Sequence, residues 1–302
     1  MFSNWLGALP GAAAQGIIWG LMAIGVYITY KILDFADLTV DGSICTGGAV
    51  CAVLVGAGVN IWLALLISFI AGMLAGLITG VLHTLMGIPP ILAGILTQLM
   101  LWSINMKIMG GSMFAISARN SSVIISSMQT TMWNTIGTLA LFAAVIIAVL
   151  YWFFGTELGT SLRATGNNPR MSRAQGINID ITKILALVLS NGIVALAGAL
   201  LAQYNGQANI NTGRGAIVTG LAAVIIGEVI VSKLSSNFAV RLTGVVLGGI
   251  VYFFVHQTVV FLGVDADLLR MFSAIVVAIF LAIPYCKQKY FTKVKVRRKD
   301  NA

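Results

Sequence analysis

Three of the nine acidic residues of this chain crowd into one short stretch between apolar runs. Asp34, Asp37 and Asp41 lie in LDFADLTVDGSICTGG, and Gly42 follows the last of them. Carboxylates among apolar residues are costly to bury, so they are usually kept for a functional or pairing role. Two interpretations stay open: the stretch lines a polar path or gate, or Asp41 caps the next helix while the other acids tie the loops.

A fourth acid, Glu228, stands inside the apolar run from Ala216 to Val231. Lys233 and Arg241 follow it in the sequence, and either could neutralise the carboxylate. This favours a structural ion pair, although Glu228 stays among the candidates for the polar path because ionisable groups in apolar segments are usually functional.

No residues with catalytic or metal-binding spacing occur. His83 and His256 stand alone, without the partner of an H-E-x-x-H motif, and no Gly is followed by Lys, so a G-x-x-x-x-G-K-[ST] phosphate-binding loop is absent. Cys45, Cys51 and Cys286 lack the spacing of metal ligands. We therefore expect no catalytic residue, no metal and no cofactor in this chain, which argues against an intramembrane protease or a lipid-modifying enzyme.

The composition predicts that the lipid bilayer surrounds these residues. Of 302 residues, 59% are hydrophobic and 9% are charged, compared with about 25% charged in soluble domains. Runs near the roughly 20 residues needed for one helical span recur along the chain. We predict an all-α, polytopic membrane bundle with nine spans: Gly11–Tyr30, Ser43–Val59, Ile61–Leu82, Ile91–Met106, Ile136–Phe154, Ile184–Gln203, Ala216–Val231, Leu242–Phe261 and Leu268–Tyr285.

The distribution of positive charge predicts the orientation. The net charge of +9 does not indicate nucleic-acid binding, because seven of the 18 Lys and Arg residues lie in the tail from Lys287 to Lys299. A cytoplasmic tail satisfies the positive-inside rule. We predict a membrane-spanning domain over residues 1–286 and a basic cytoplasmic tail over 287–302, with an amino terminus outside.

The order of the spans predicts two inverted halves. Four spans, one crossing span and four more spans place the halves upside down relative to each other, as in many transporters. Each half contains a polar, glycine-bearing interruption, and the second one, QYNGQANINTGRGAIVTG, contains Asn211 and Gly213. Because interrupted helices expose backbone groups to a ligand, we place both residues on the polar path.

The connection 156–183 predicts a short helix outside the membrane. Asn168 suits the N-cap, Pro169 the first helical position and Gly176 the left-handed residue after the helix. Arg170 and Arg173 then share one face. A capped helix of this kind suits docking against a soluble partner, whereas a basic loop resting on anionic lipid is the alternative.

Gly166 and Asn167, directly before this helix, favour a tight turn. The whole segment resembles the coupling segment R-A-x-G-x-N-P…A…G-I-N of permease subunits that import branched-chain amino acids, ribose and related solutes. The residues that match are Arg163, Ala164, Gly166, Asn168, Pro169, Ala174, Gly176, Ile177 and Asn178. ILDFADLTVDGS and GLAAVIIGE resemble the narrower group of tryptophan/tyrosine import permeases.

The resemblance implies a bacterial ATP-binding-cassette importer. It implies a homodimeric permease in the cell membrane, an extracytoplasmic solute-binding protein that delivers the solute, and a separate ATPase that binds ATP and Mg. The coupling residues would be those of the segment around Arg163 to Ile177, and the solute would be a small molecule, an amino acid and more narrowly an aromatic one. Substrate choice would be set mostly by the binding protein. The alternative is an ion-coupled secondary transporter or a channel, which also uses inverted repeats.

Overall fold

The computed structural model describes residues 2–116, 123–125, 132–231 and 237–261, together with residues 271, 274, 275 and 278. The helices in this part of the chain are α1 (Phe2–Tyr27), continued by a π-helical turn (Ile28–Ile32), α2 (Val40–Gly56), α3 (Ile61–Thr84), α4 (Pro90–Met109), α5 (Met132–Phe153), α6 (Glu157–Asn167), α7 (Pro169–Ala174), α8 (Ile179–Asn205), α9 (Ala216–Val231) and α10 (Phe238–Phe261). Two short strands, β1 (Met113–Ala115) and β2 (Gln207–Asn209), pair antiparallel.

The expected all-α membrane bundle is confirmed. Eight of the nine predicted spans coincide with helices, and six of these, α1, α3, α4, α5, α8 and α10, are long and apolar enough to cross a membrane. The helices α2 and α9 are shorter, with 17 and 16 residues. The predicted ninth span lies almost wholly outside the described residues, and so does the basic tail 287–302.

Local signals explain where several helices begin and end. The Asn60 side chain accepts a hydrogen bond from the Trp62 backbone N–H at 3.0 Å and so caps α3. Pro90 occupies the first turn of α4, where its missing N–H has no cost. Gly110 and Gly206 end α4 and α8 with φ of +67°, a left-handed conformation that favours glycine.

The helix α8 lies at the centre of the bundle, packed between α1, α2 and α3. Glycines allow this close packing, because a Cβ atom on Gly47 would overlap the Ala195 carbonyl oxygen and one on Gly76 would overlap that of Leu187. By contrast, α4 and α5 lie at the periphery and expose large apolar side chains, among them Trp152 at 72%. That surface suits contact with lipid or with another apolar protein surface.

The strand pair brings two helix ends to the same end of the bundle. Met113 pairs with Asn209, which joins the chain after α4 to the chain after α8. Tyr204, near the end of α8, lies against Gly11 of α1. The helix α1 therefore starts where α8 finishes, and the two run antiparallel.

Candidate functional site

The two interrupted stretches lead to helices whose first turns meet. The Asp41 carboxylate, in the first turn of α2, accepts hydrogen bonds from the backbone N–H of Gly215 at 3.0 Å and of Ile217 at 2.8 Å. It therefore caps α9, and the expected cap on its own helix is wrong. The N-cap position of α2 is Thr39, which makes no side-chain capping bond.

Both helices begin inside the bundle. Ser43, in the first turn of α2, donates to the side-chain oxygen of Asn191 at 2.6 Å, and Asn191 lies halfway along α8. From this level α2 runs parallel to α8, since Gln203 near the end of α8 donates to Cys51. The non-helical chain before α2 therefore enters the bundle from one end to reach this level.

The helix α9 runs in the opposite direction from the same level. Its residue Gly220 lies against Met22 and Val26 of α1, and Glu228 farther along pairs with Lys31. Since α9 follows α1, which is antiparallel to α8, α9 runs toward the end of the bundle where α8 begins. This direction is opposite to that of α2. The positive ends of both helix dipoles consequently face each other near Asp41.

A cavity of about 360 Å³ opens beside this junction. Three of the predicted path residues, Asp41, Gly42 and Gly213, line it. Position 213 requires glycine, because a Cβ atom there would overlap the Asp41 carbonyl oxygen. The cavity walls also include side chains from α4 and from the approach to α9, namely Gln98, Leu99, Trp102, Asn105 and Arg214.

The other four predicted path residues do not line this cavity; they are Asp34, Asp37, Asn211 and Glu228. Asn211 lines a neighbouring cavity of about 520 Å³, whose wall Arg214 shares. Asp34 has a φ of +55° and lies at a third cavity of about 700 Å³. Glu228 forms an ion pair with Lys31 at 3.1 Å. A structural pair is therefore present, but its partner is Lys31 and not the suggested Arg241, while Lys233 lies outside the described residues.

Asp37 belongs to a buried hydrogen-bond network. Its carboxylate accepts from the Thr39 backbone N–H at 2.9 Å and from the Asn191 side chain at 2.8 Å, and only 2% of the residue is exposed. The hydroxyl oxygens of Thr39 and Thr79 lie 2.7 Å apart. The Thr79 hydroxyl also lies 2.9 Å from the hydroxyl oxygen of Thr97. The network links α3, α4 and α8 to the start of α2.

The predicted surface helix is confirmed as α7. The Asn168 side chain accepts from the Met171 backbone N–H at 3.1 Å, and Pro169 is the first helical residue. After the helix, Gly176 has a φ of +83°, and Ile177 N–H donates to the Ser172 carbonyl at 3.1 Å. Together with the bond from Gly176 N–H to the Arg173 carbonyl, this forms a Schellman motif.

The residues before α7 form a second helix instead of the expected turn. Gly166 and Asn167 are the last residues of α6, and the Ala164 carbonyl accepts from Asn168 N–H. Glycine is needed at 166 because a Cβ atom would overlap the carbonyl oxygen of Ile32. The expected turn is therefore wrong, and the reason for glycine is the close approach of α6 to the π-helical turn.

The cation Arg163 anchors α6 to the bundle. Its guanidinium lies 4.4 Å from the centre of the Phe238 ring and 5.2 Å from that of Phe154, as cation–π contacts require. Arg163 also lines the 700 Å³ cavity together with Lys31 and Arg241. Arg170 and Arg173 of α7 are exposed, so they remain available to a partner.

Several residues of the site were not predicted. Gln98 and Asn105 stand seven residues apart, on one face of α4, and that spacing could have indicated a polar wall. Asn191 interrupts the apolar run of α8 in the same way. Arg214 lies in the second interruption, directly before the left-handed Gly215, and its position in the cavity wall could not be predicted from the sequence.

Comparison with known proteins shows the family to which this chain belongs. The family model described as branched-chain amino acid transport system, permease component, matches residues 9–284. The chain is 37% identical to a tyrosine transport system permease protein of Clostridioides difficile, over 89% of this chain and 88% of that protein. It is 24% identical to a ribose import permease protein of Escherichia coli K12, over 91% and 84%.

Among solved structures, the chain is similar to PsaBC from Streptococcus pneumoniae in complex with Fab. The match has a TM-score of 0.41 and 17% sequence identity, and it covers 85% of this chain and 95% of the other.

The family match spans nearly the whole chain and includes the helices, the central junction and the α6–α7 connection. The chain is therefore a multi-pass membrane protein that belongs to the family of permease components of branched-chain amino acid transport systems.

Proposed function

We propose that this permease component imports an amino acid across the bacterial cell membrane, driven by a separate ATP-binding-cassette ATPase. The observation that carries the proposal is the meeting of the first turns of two short helices, α2 and α9, inside the bundle, at a cavity lined by Asp41 and Arg214. Helix interruptions at this depth expose backbone groups and helix dipoles to a passing solute.

The relatives support an amino acid as the solute. The tyrosine permease is 37% identical to this chain, whereas the ribose permease is 24% identical over a similar span. An aromatic amino acid is the narrower proposal, and an extracytoplasmic binding protein would deliver it to the end of the bundle that carries β1 and β2.

The helices α6 and α7 are the proposed docking elements for the ATPase, whose subunits would bind ATP and Mg. Both ends of α7 are closed by hydrogen bonds, so this helix can transmit a displacement as a rigid body. Its exposed Arg170 and Arg173 would face acidic groups of the partner. No phosphate-binding loop occurs in this chain, which is consistent with a separate ATPase.

The charges support the proposed orientation. Lys31, Arg163 and Arg241 line one cavity beside α6, at the end of the bundle that also carries Arg170 and Arg173. Lysine and arginine accumulate on the cytoplasmic side of membrane proteins. The α6–α7 end would therefore be cytoplasmic, and so would the carboxyl-terminal tail in the nine-span arrangement.

A chain of contacts joins the docking elements to the central cavity. Gly166 of α6 packs on the Ile32 carbonyl of the π-helical turn, and Lys31 of the same turn pairs with Glu228 of α9. The other end of α9 is capped by Asp41 at the cavity. We propose that ATPase movement reaches the cavity through α6, the π-helical turn and α9.

A homodimer with two inverted halves per subunit completes the proposal. Leu99 and Trp102 of α4 are 62% and 42% exposed beside the cavity, and a second copy would cover this surface. The opposite directions of α2 and α9 from one level support inverted halves, because an inverted repeat predicts this arrangement.

The decisive experiment reverses the charges on α7. We expect the Arg170→Glu/Arg173→Glu variant to lose co-purification of the ATPase encoded with this permease and to lose ATP-driven amino-acid uptake in proteoliposomes, with normal insertion of the chain. Lys107→Glu, at the last turn of α4 and far along the chain from α7, is the matched control and should retain both activities.

Retention of ATPase binding and uptake by the reversed variant would contradict the docking role of α7. Uptake driven by an ion gradient without any ATPase would instead favour the alternative, an ion-coupled transporter or a channel. The buried carboxylate of Asp37 is the observation that keeps this alternative in view, because such acids occur in proton and ion pathways.

A further inference from the structure

Asn105 is a buried side chain whose hydrogen-bonding capacity is unused. It is 0% exposed, it lines the 360 Å³ cavity, and neither its amide nitrogen nor its amide oxygen has a hydrogen-bond partner among the described residues. A buried amide without partners is unfavourable, and such groups in native proteins call for an explanation. A ligand with both donors and acceptors would satisfy it.

The same cavity holds groups of opposite charge. Asp41 accepts backbone N–H bonds with both carboxylate oxygens, and each oxygen keeps a further lone pair for a ligand donor. Arg214 has no ion pair or side-chain hydrogen bond within the described part of the chain. Its guanidinium is therefore available to a carboxylate, for which its geometry is well suited.

Apart from Gln98, the large side chains of the remaining wall are apolar or aromatic. Trp102, Leu99 and Ile210 contribute it, and the indole ring offers a large surface to an apolar or aromatic side chain. The cavity volume of about 360 Å³ lies within the range of small-molecule sites. A sugar could hydrogen-bond to both groups but would leave their charges uncompensated, and a simple anion would approach the Asp41 carboxylate unfavourably.

We infer that this cavity is a binding site for a zwitterionic α-amino acid, with the ammonium group at Asp41, the carboxylate at Arg214, the Asn105 amide hydrogen-bonded to the ligand, and the ligand side chain against Trp102. The inference rests on the proposed function, because it takes the imported solute as the ligand. It assigns selectivity to the permease itself, in addition to that of the binding protein.

The test is ligand-induced thermal stabilisation of the purified full-length permease in nanodiscs. Each proteinogenic L-amino acid serves as a probe. Those that stabilise the protein are compared with the matching amine that lacks the carboxylate and the matching acid that lacks the ammonium group, for tyrosine tyramine and 3-(4-hydroxyphenyl)propionate. We expect stabilisation by at least one amino acid and about tenfold or more weaker binding of both analogues, since each lacks a charged contact.

Two variants assign the effect to the cavity. Arg214→Gln should weaken amino-acid binding by about tenfold or more. Asn105→Leu should raise the unfolding temperature of the free protein, since it removes an unsatisfied amide, and yet abolish the ligand-induced shift. Lys107→Gln on the same helix, which does not line the cavity, is the control and should bind as the unchanged chain does.

Binding of either analogue as tightly as the amino acid would overturn the inference. So would unchanged binding by Arg214→Gln, or the absence of stabilisation by every amino acid. If amino acids fail to bind while the complex still performs ATP-driven uptake, the site inference alone fails. If the permease neither assembles with the ATPase nor supports uptake, the proposed function fails, whatever the binding assay gives.

Discussion

The carboxylate of Asp41 joins α2 to the start of α9. It lies in the first turn of α2, caps the start of α9 more than 170 residues later and lines the central cavity. A negative charge is favourable at this point because the positive ends of two helix dipoles converge there. The neighbouring acids have different surroundings, since Asp37 is held in a buried network and Asp34 is exposed.

Replacing Asp41 by Asn should therefore destabilise the protein. The amide nitrogen cannot accept a hydrogen bond, so one of the bonds from Gly215 and Ile217 is lost together with the charge. We expect a loss of about 1–2 kcal/mol in the free energy of unfolding, measured by unfolding in detergent. Asp34→Asn is the control from the same stretch and should change stability little, because Asn tolerates its left-handed backbone. Equal effects of the two substitutions would contradict the capping role.

At the scale of secondary structure, the connection between α5 and α8 is a pair of helices with different tasks. The helix α6 is held to the bundle through Arg163 and Gly166, whereas α7 is exposed and capped at both ends. Local sequence signals determine α7, because its caps are made by residues within a few positions of the helix. The position of α6 depends on contacts with distant residues, in particular Ile32 and Phe238.

Two glycine-to-alanine substitutions separate packing from helix propensity. Gly166→Ala should destabilise the protein by about 1–3 kcal/mol, because the new methyl group meets the Ile32 carbonyl and pushes α6 away. Gly137→Ala in α5 has open space around it and should be neutral or stabilising by up to about 1 kcal/mol. Unfolding in detergent measures both. An equally tolerated Gly166→Ala would show that α6 does not need this close approach.

At the scale of the whole molecule, the basic residues and the short helices α2 and α9 distinguish two ends of the bundle. Residues of the α6–α7 end include Arg163, Arg170 and Arg173, while the other end carries the β1–β2 pair. The helices α2 and α9 begin between these ends and run in opposite directions. The stretch before α2 therefore enters the bundle from the α6–α7 end, and the stretch before α9 enters it from the β1–β2 end.

Cysteine labelling in intact cells tests the orientation. In a Cys286→Ser background, Gly111→Cys at the β1 end should react with an impermeant thiol reagent added outside. Ser161→Cys in α6 should react only after the membrane is permeabilised. The remaining cysteines, Cys45 and Cys51, are buried. Labelling of the α6 position in sealed cells would reverse the proposed orientation.

The sequence by itself determined the class of protein, most of the helices and the capped helix α7. Long apolar runs require a bilayer and helical hydrogen bonding, and the Asn-Pro start and Gly176 end of α7 act through neighbouring residues. The glycine-bearing interruptions contain Asp41, Gly42 and Gly213, which line the central cavity. Their place on a solute path stays a prediction.

Only the tertiary structure decided which distant residues meet. The helices are apolar on nearly every face, so sequence periodicity does not indicate which side faces which neighbour. The cap from Asp41 to α9, the pair of Glu228 with Lys31 and the approach of Gly166 to Ile32 each join residues more than 100 positions apart. These contacts depend on the depth and rotation of packed helices, and those are set by small residues on both helices, which no single segment specifies.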